Sequence, residues 1–285
     1  MSGGKSAAAR LAARMPLPLA HFAGAIAGWL VYALSPRFRR YLKRNMAQAG
    51  YADRALRRAA IIETGKTLLE LPAIWLRPHA DTAALVRDVT GWPWIEQAMR
   101  AGKGLILLTP HMGCWEIAAQ YFSRHYRLTV LYRPPKVRWL QPLMQAGRTR
   151  EMLTSVPADV SGVRALYRAL RRGEAIGMLP DQVPGVGEGE WAPFFDRSAY
   201  TMTLAMRMAQ STGAPVLIAY AERLPRGRGF HIHVEPLPQS LEGETPAGHM
   251  NRALEALIRR CPQQYLWAYN RYKTPAGIEP PQEGQ

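Results

Sequence analysis

A chain of 285 residues, 48% of them hydrophobic, can bury a full core and is excluded from the disordered and the disulfide-stapled classes. A balance of 37 Lys and Arg against 21 Asp and Glu leaves a formal charge of +16, which suggests attraction to nucleic acid, an anionic membrane or an acidic protein, or else a solvated surface with no specific partner. Two cysteines, Cys114 and Cys261, are too few for a disulfide framework or a zinc cluster and suit a reduced, cytosol-facing chain.

Residues 1–14 carry Lys5, Arg10 and Arg14 and no acid. Residues 17–34 are almost wholly apolar, broken by His21, and Arg37, Arg39, Arg40, Lys43 and Arg44 follow at once. The apolar run is at the low edge of spanning length, so it crosses a bilayer once, lies in the interface, or is the buried helix of a soluble domain. The basic cluster on its C-terminal side argues against export and keeps the body of the chain on the cytoplasmic side, against anionic lipid. Residues 1–45 therefore read as a basic and apolar membrane anchor.

Beyond the anchor, residues 55–75 read as a helix with Ile61, Ile62, Leu68, Leu69 and Leu71 on one broad face, ending at Pro72 and Pro78. A short helix lies between Pro93 and Gly102. Strands are expected over 105–109, 128–132, 175–179, 216–221 and 230–234. Helices are expected over 115–122, 137–152, 163–171, 201–210 and 247–260. Strands alternating with helices imply an α/β fold with a mostly parallel sheet flanked by helices. The domain spans 46–273, and the Pro-, Gly- and acid-rich residues 274–285 form a loose tail.

The densest chemistry is His111-Met-Gly-Cys-Trp-Glu116, at the carboxyl end of the first expected sheet strand, where open α/β sheets place ligands. His111 can take a proton from a hydroxyl, with Glu116 holding the imidazole in the right tautomer. On one continuous helix a spacing of five would set the two side chains roughly 140° apart. A turn is therefore expected, and Gly113 supplies it.

Three further segments follow. Tyr132-Arg133-Pro134-Pro135-Lys136 closes a strand, and Arg133 or Lys136 could grip phosphate there; an ordinary basic loop is the plainer reading. Leu179-Pro180-Asp181-Gln182 closes another strand and runs into a glycine-rich loop at 185–190, which is too acidic for a nucleotide cradle and reads as a mobile loop beside a cleft. The aromatic stretch 191–196 lines an acyl cleft or belongs to the core. Gly65-Lys66-Thr67 is not a P-loop, because Ala60 replaces the leading glycine. His231 and His233 share a strand face but lack a third metal ligand of clear spacing. Cys114 offers a minor thiol route.

Taken in order, His111-Met-Gly-Cys-Trp-Glu116, Tyr132-Arg133-Pro134, Leu179-Pro180-Asp181-Gln182, Pro193-Phe194-Phe195, Thr212-Gly213-Ala214-Pro215-Val216 and Trp267-Ala-Tyr-Asn-Arg271-Tyr-Lys273 resemble the lipid A late-acyltransferase branch (lauroyl and myristoyl transferases) of the lysophospholipid acyltransferase superfamily. The resemblance covers nearly the whole chain. Many members of that branch carry Asn where Cys114 stands, Gly where Asp196 stands and His where Tyr269 stands. The resemblance implies that His111 and Glu116 form a catalytic pair and that Arg133, Asp181 and Gln182 lie at the substrate site. It implies transfer of a fatty acyl chain from acyl carrier protein to a hydroxyl on the primary acyl chain of a lipid A precursor, with no metal or redox cofactor, at the cytoplasmic face of the inner membrane. An acyltransferase for a lysophospholipid or an aminolipid is the rival within the superfamily. A non-enzymatic basic membrane-binding protein is the rival outside it. The Arg residues are not interleaved with aromatics in an RNA-binding array, so nucleic acid is not an expected partner.

Overall fold

The structure, a computed structural model, describes residues 14–132, 147–148 and 150–280. Three helices open the chain: α1 (Leu17–Leu34), α2 (Pro36–Gln48) and α3 (Arg54–Leu76). Helix α1 lies flat along α3, burying Leu17, Ala20, His21, Gly24 and Gly28. A Cβ at Gly65 would stand 2.0 Å from the Gly24 carbonyl oxygen, and one at Gly28 would stand 2.2 Å from that of Ile61. Glycines four apart on α1 thus let two helix backbones touch. The outer side of α1 leaves Leu19, Phe22, Ile26, Trp29, Leu30 and Leu34 exposed.

Helix α2 was not expected as an element, because its basic residues mask its apolar face. Ser35 caps it by accepting from the Phe38 N–H, Pro36 opens it, and Leu42 and Met46 are buried. Helix α3 does not end at Pro72 but runs through it to Leu76. A mid-helix proline costs about 3 kcal/mol. The last turn buries Ala73, Ile74, Trp75 and Leu76, which offsets that cost.

The remaining elements are α4 (His79–Ala83), β1 (Val86–Thr90), α5 (Trp92–Arg100), β2 (Leu105–Leu108), α6 (Trp115–Phe122), β3 (Leu128–Tyr132), β4 (Leu153–Pro157), α7 (Val160–Arg171), β5 (Ala175–Met178), β6 (Gly189–Phe194), β7 (Arg197–Met202), α8 (Leu204–Thr212), β8 (Val216–Arg223), β9 (Phe230–Pro236) and α9 (Pro246–Arg260). Seven strands form one sheet in the order β1-β9-β8-β2-β5-β3-β4, and β6 pairs only with β7. Every pairing in the large sheet is parallel except β8 with β9. The fold is thus α/β with a mostly parallel sheet flanked by helices.

Central β2 is buried on both faces, as a strand covered by helices on either side must be. Leu105 and Leu107 join the apolar cluster that includes Trp75, Ile95, Ile117 and Phe122. Ile106 and Leu108 join the cluster that includes Leu166, Met208, Leu254 and Trp267.

Departures from the sequence reading fall at the edges. Strand β1 is half exposed and carries Arg87 and Asp88, so it has no apolar run to announce it. Strand β4 closes the opposite edge, just past the expected helix at 137–152; of that helix, residues 147 and 148 are helical, and 137–146 and 149 lie outside the described residues. The stretch 191–196 is a hairpin. Phe195 and Asp196 form its two-residue turn with φ of 49° and 57°. Such turns usually advertise themselves with glycine or asparagine. Here burial of Phe195, the Glu255 carboxylate accepting its N–H at 2.7 Å, and the Gln48 amide donating to its carbonyl at 2.9 Å hold the conformation. Phe194 and Phe195 are core, and do not line the apolar cavity described below.

Candidate active site

Strands β2 and β5 are parallel neighbours with Leu108 opposite Met178. Each runs into a proline, Pro110 and Pro180, and each then presents one polar side chain three residues beyond that shared rung. His111 and Asp181 therefore emerge level with one another. The Asp181 Oδ1 lies 2.7 Å from His111 Nδ1, and its Oδ2 accepts the His111 backbone N–H at 2.9 Å. A carboxylate only accepts, so Nδ1 carries a proton. The Gln182 amide stands 3.2 Å from Nε2.

Asp181 is 2% exposed, whereas the His111 side chain is 17% exposed. Burial pushes the Asp181 carboxyl up, but the charge and hydrogen bonds of His111, with the Arg271 guanidinium behind, outweigh it and hold it below the usual carboxylate range. Arg271 is itself buried, donating to the Tyr200 carbonyl at 2.7 Å and the Thr201 hydroxyl at 2.6 Å.

The expected turn is present. Gly113 has φ 58°, and a Cβ there would lie 1.9 Å from the Ala221 carbonyl oxygen. Gln264 accepts the Gly113 N–H at 2.9 Å and Ala221 accepts that of Cys114 at 2.9 Å, which ties the turn to the rest of the fold. Helix α6 then starts at Trp115.

The expected hydrogen bond between Glu116 and the imidazole is not formed. The turn brings Glu116 out towards α3, where it accepts from Trp75 Nε1 at 2.9 Å and from both the Nε (3.1 Å) and the Nη2 of Arg148. The carboxylate on Nδ1 is supplied instead by the neighbouring strand. The structure thus brings His111, Asp181 and Gln182 together and sets Glu116 in a separate buried pair with Arg148. Arg133 lies outside the described residues. The sequence did carry a sign of the pairing: Leu-Thr-Pro-His and Met-Leu-Pro-Asp close two strands in the same way.

Behind the turn lies a second charged cluster. Arg223 donates to Glu70 at 2.6 and 2.8 Å, to Glu63 at 2.8 Å, to the Thr67 hydroxyl at 3.0 Å and to the Gly113 carbonyl at 3.0 Å. His21 of α1 adds a hydrogen bond to Glu70 at 2.9 Å. Burial pushes the Glu70 carboxyl up, and Arg223 together with His21 overcomes this and lowers it. This cluster fastens α1 and α3 to the carbonyl of the Gly113 turn. The Cys114 thiol is fully buried beside it and is pushed up by that burial and by Glu70, which removes the thiolate route.

The His111 ring meets the Trp115 ring edge-on at 4.9 Å. Trp115 in turn lines an apolar cavity of about 60 Å³, walled by Trp92, Ile95, Leu107, Tyr121 and Phe122. A larger recess of about 380 Å³, lined by Arg127, Arg168 and Arg172, opens near the amino ends of β3 and β4. Its size is no argument for catalysis, because it lies at the other end of the strands from His111.

The profile of the bacterial lipid A biosynthesis acyltransferases matches residues 6–274. The lipid A biosynthesis lauroyltransferase of Escherichia coli K12 is 26% identical over 281 residues, covering 94% of this chain and 90% of that protein. The palmitoleoyltransferase of lipid A biosynthesis from the same organism is 24% identical over 272 residues, covering 92% and 87%. A lipid A biosynthesis acyltransferase of Haemophilus influenzae is 27% identical over 194 residues, covering 66% and 59%. The match runs almost end to end, from residue 6 to residue 274, and so this protein belongs to the bacterial lipid A biosynthesis acyltransferase family.

Proposed function

We propose that the enzyme moves a fatty acyl chain from acyl carrier protein to a hydroxyl on a primary 3-hydroxyacyl chain of a lipid A precursor, with His111 as general base. The single observation that carries the reading is the His111 imidazole: its Nδ1 is held by buried Asp181, and its ring edge meets Trp115 at the wall of the apolar cavity. In the reaction, Nε2 takes the proton of the acceptor hydroxyl as that oxygen attacks the thioester carbonyl. The C–O bond forms, the C–S bond breaks, and the imidazolium returns its proton to the leaving thiolate. Asp181 stabilises the imidazolium between the two steps. Gln182 donates to Nε2 in the resting site and yields that position to the hydroxyl. Glu116, with Arg148 and Trp75, fixes the start of α6 and so the placement of Trp115. Arg133 is assigned a substrate phosphate on the strength of the family motif alone.

The acyl chain enters beneath α6. The cavity of about 60 Å³ is small for a fatty chain, so aromatic side chains around it have to give way as the chain enters. The outer apolar stripe of α1, the one helix among the described residues long and apolar enough to cross a membrane, faces lipid, and the basic residues of α2 keep the catalytic domain on the cytoplasmic side. The formal charge of +16 steers both an acidic carrier protein and an anionic lipid towards the enzyme.

The test is transfer by the purified enzyme from acyl carrier proteins loaded with different chains to a lipid A precursor, read by mass spectrometry. An ester-linked secondary chain on the precursor, absent with His111→Ala, is the expected result. Transfer to lysophospholipid but not to the precursor overturns the assignment.

A further inference from the structure

Strand β9 carries two histidines on one face, His231 and His233. The sequence alone offers them no third ligand, because that ligand is neither at helical nor at strand spacing from them. The sheet supplies it. In the antiparallel pairing of β8 with β9, Glu222 stands directly opposite His231 and Tyr220 opposite His233. On the other side, β1 sets Asp88 opposite His231 and Thr90 opposite His233. Directly paired residues share a sheet face, so the register alone gathers two imidazoles and a carboxylate, with a second carboxylate at their edge.

The side chains meet as the register requires. The two imidazole rings lie 3.9 Å apart, and His233 stacks on Tyr220 at 4.6 Å with an interplanar angle of 13°. The Glu222 Oε2 is 3.0 Å from His233 Nε2. One ligand atom from each of Glu222, His231 and His233 falls within 4.8 Å of the others. Asp88 Oδ2 is 3.4 Å from His231 Nε2, and the Thr90 hydroxyl is 2.8 Å from the same nitrogen. All three core members are partly buried, which spares them much of the cost of ordering long side chains in water. The nearby Arg260 is occupied by Glu235 at 2.7 Å, so its charge is compensated there.

We propose that Glu222, His231 and His233 form a binding site for a divalent first-row transition ion of the zinc type, clamping β9 to β8 next to the edge strand β1. Two neutral imidazoles and one carboxylate match the ligand softness of such an ion. Zn–N and Zn–O bonds of about 2.0–2.2 Å draw ligands closer than they stand now, through side-chain rotation and no change of strand register. Asp88, exposed and facing the same ring nitrogen of His231, is in reach as a fourth ligand through a carboxylate oxygen, and the Thr90 hydroxyl gives up its contact with that nitrogen when the ion binds. The site belongs to neither the His111 cluster nor the Arg223 cluster, and it does not rest on the acyl-transfer reading.

The test is calorimetric titration of the full chain in detergent, free of any polyhistidine tag, with zinc sulfate, paralleled by cobalt(II) absorption spectra. One equivalent of zinc is expected, with affinity reduced at least roughly tenfold in His233→Ala and Glu222→Gln and stoichiometric binding lost in the double variant His231→Ala/His233→Ala, on the scale that one lost ligand group imposes. The variant His111→Ala is expected to bind zinc unchanged, which separates this site from the catalytic imidazole. Circular dichroism and the metal-free melting curve of each variant confirm that it is folded, and the single variant His231→Asn serves if the double one is not. An absence of stoichiometric binding by the parent protein, or binding that persists undiminished in the folded variants, overturns the proposal.

Discussion

Two carboxylate clusters flank the turn at Gly113, and they are built to opposite ends. In one, Asp181 is buried but its partner His111 is partly exposed, and its second ring nitrogen faces the Gln182 amide at 3.2 Å. In the other, Glu70 and Arg223 are buried outright, and Arg223 spends its donors on Glu70, Glu63, Thr67 and the Gly113 carbonyl. In the first, Nε2 faces a neutral amide that an incoming hydroxyl can displace, which is what the proposed base requires. In the second, charged partners hold one another and fix geometry. A charged group near a candidate site is therefore not by that fact catalytic; what separates the two clusters is how easily the partner of the key atom can be displaced.

That contrast can be broken experimentally. The largest effect belongs to the first cluster: His111→Ala should cut acyl transfer by about 10²–10⁴, with circular dichroism and membrane association unchanged. Arg223→Met should act on stability instead, destabilising by about 3–5 kcal/mol in urea unfolding because the buried Glu70 loses its guanidinium and keeps only His21. Gly65→Ala should cost about 1–3 kcal/mol by forcing α1 off α3, with any loss of activity following the loss of stability. Acid should reveal both clusters. The ordinary values for Asp181 and Glu70 are 3.8 and 4.5, and both carboxyls are held lower in the fold. Such groups contribute stability that is complete above the ordinary value and is lost as pH falls through the folded one. Stability should accordingly fall from about pH 4.5 downward, and Asp181→Asn should flatten that fall in pH-dependent unfolding. The smallest effect is expected for Cys114→Ser, which should retain most activity because the buried thiol has no part in the transfer.

Much of this was legible in the residues. The continuous apolar run of β2 announced a strand buried on both faces, and Gly113 announced the turn that ends at α6. The glycine-rich stripe of α1 was visible as apolar sequence, but its use was not: only the contact with Gly65 shows that one side of the helix is spoken for by α3. Strand β1 escaped because it carries Arg87 and Asp88 where central strands carry Leu and Ile, and β4 because Leu-Thr-Ser-Val-Pro is short, carries Thr and Ser, and ends on a proline. The β6–β7 hairpin escaped because tertiary contacts, not glycine, hold Phe195 and Asp196 at positive φ. Of the residues expected at the site, His111, Asp181 and Gln182 stand together, whereas Glu116, expected as the partner of the imidazole, meets Trp75 and Arg148, and the carboxylate on the imidazole comes from the end of the adjacent strand. Spacing along a chain reports neighbours within one element. Neighbours across a parallel sheet are set by register, which a single sequence discloses only where two strands end alike.

The most direct measurement is a double-mutant cycle on acyl transfer with His111→Ala, Asp181→Asn and their combination, alongside Glu116→Gln as a folded comparison. If Asp181 works through the imidazole, Asp181→Asn should lose about 10²–10⁴ in rate and the double variant should be no slower than His111→Ala alone, since groups that act as a unit are strongly non-additive. An Asp181→Asn enzyme with full activity, or losses that multiply in the double variant, would contradict the account.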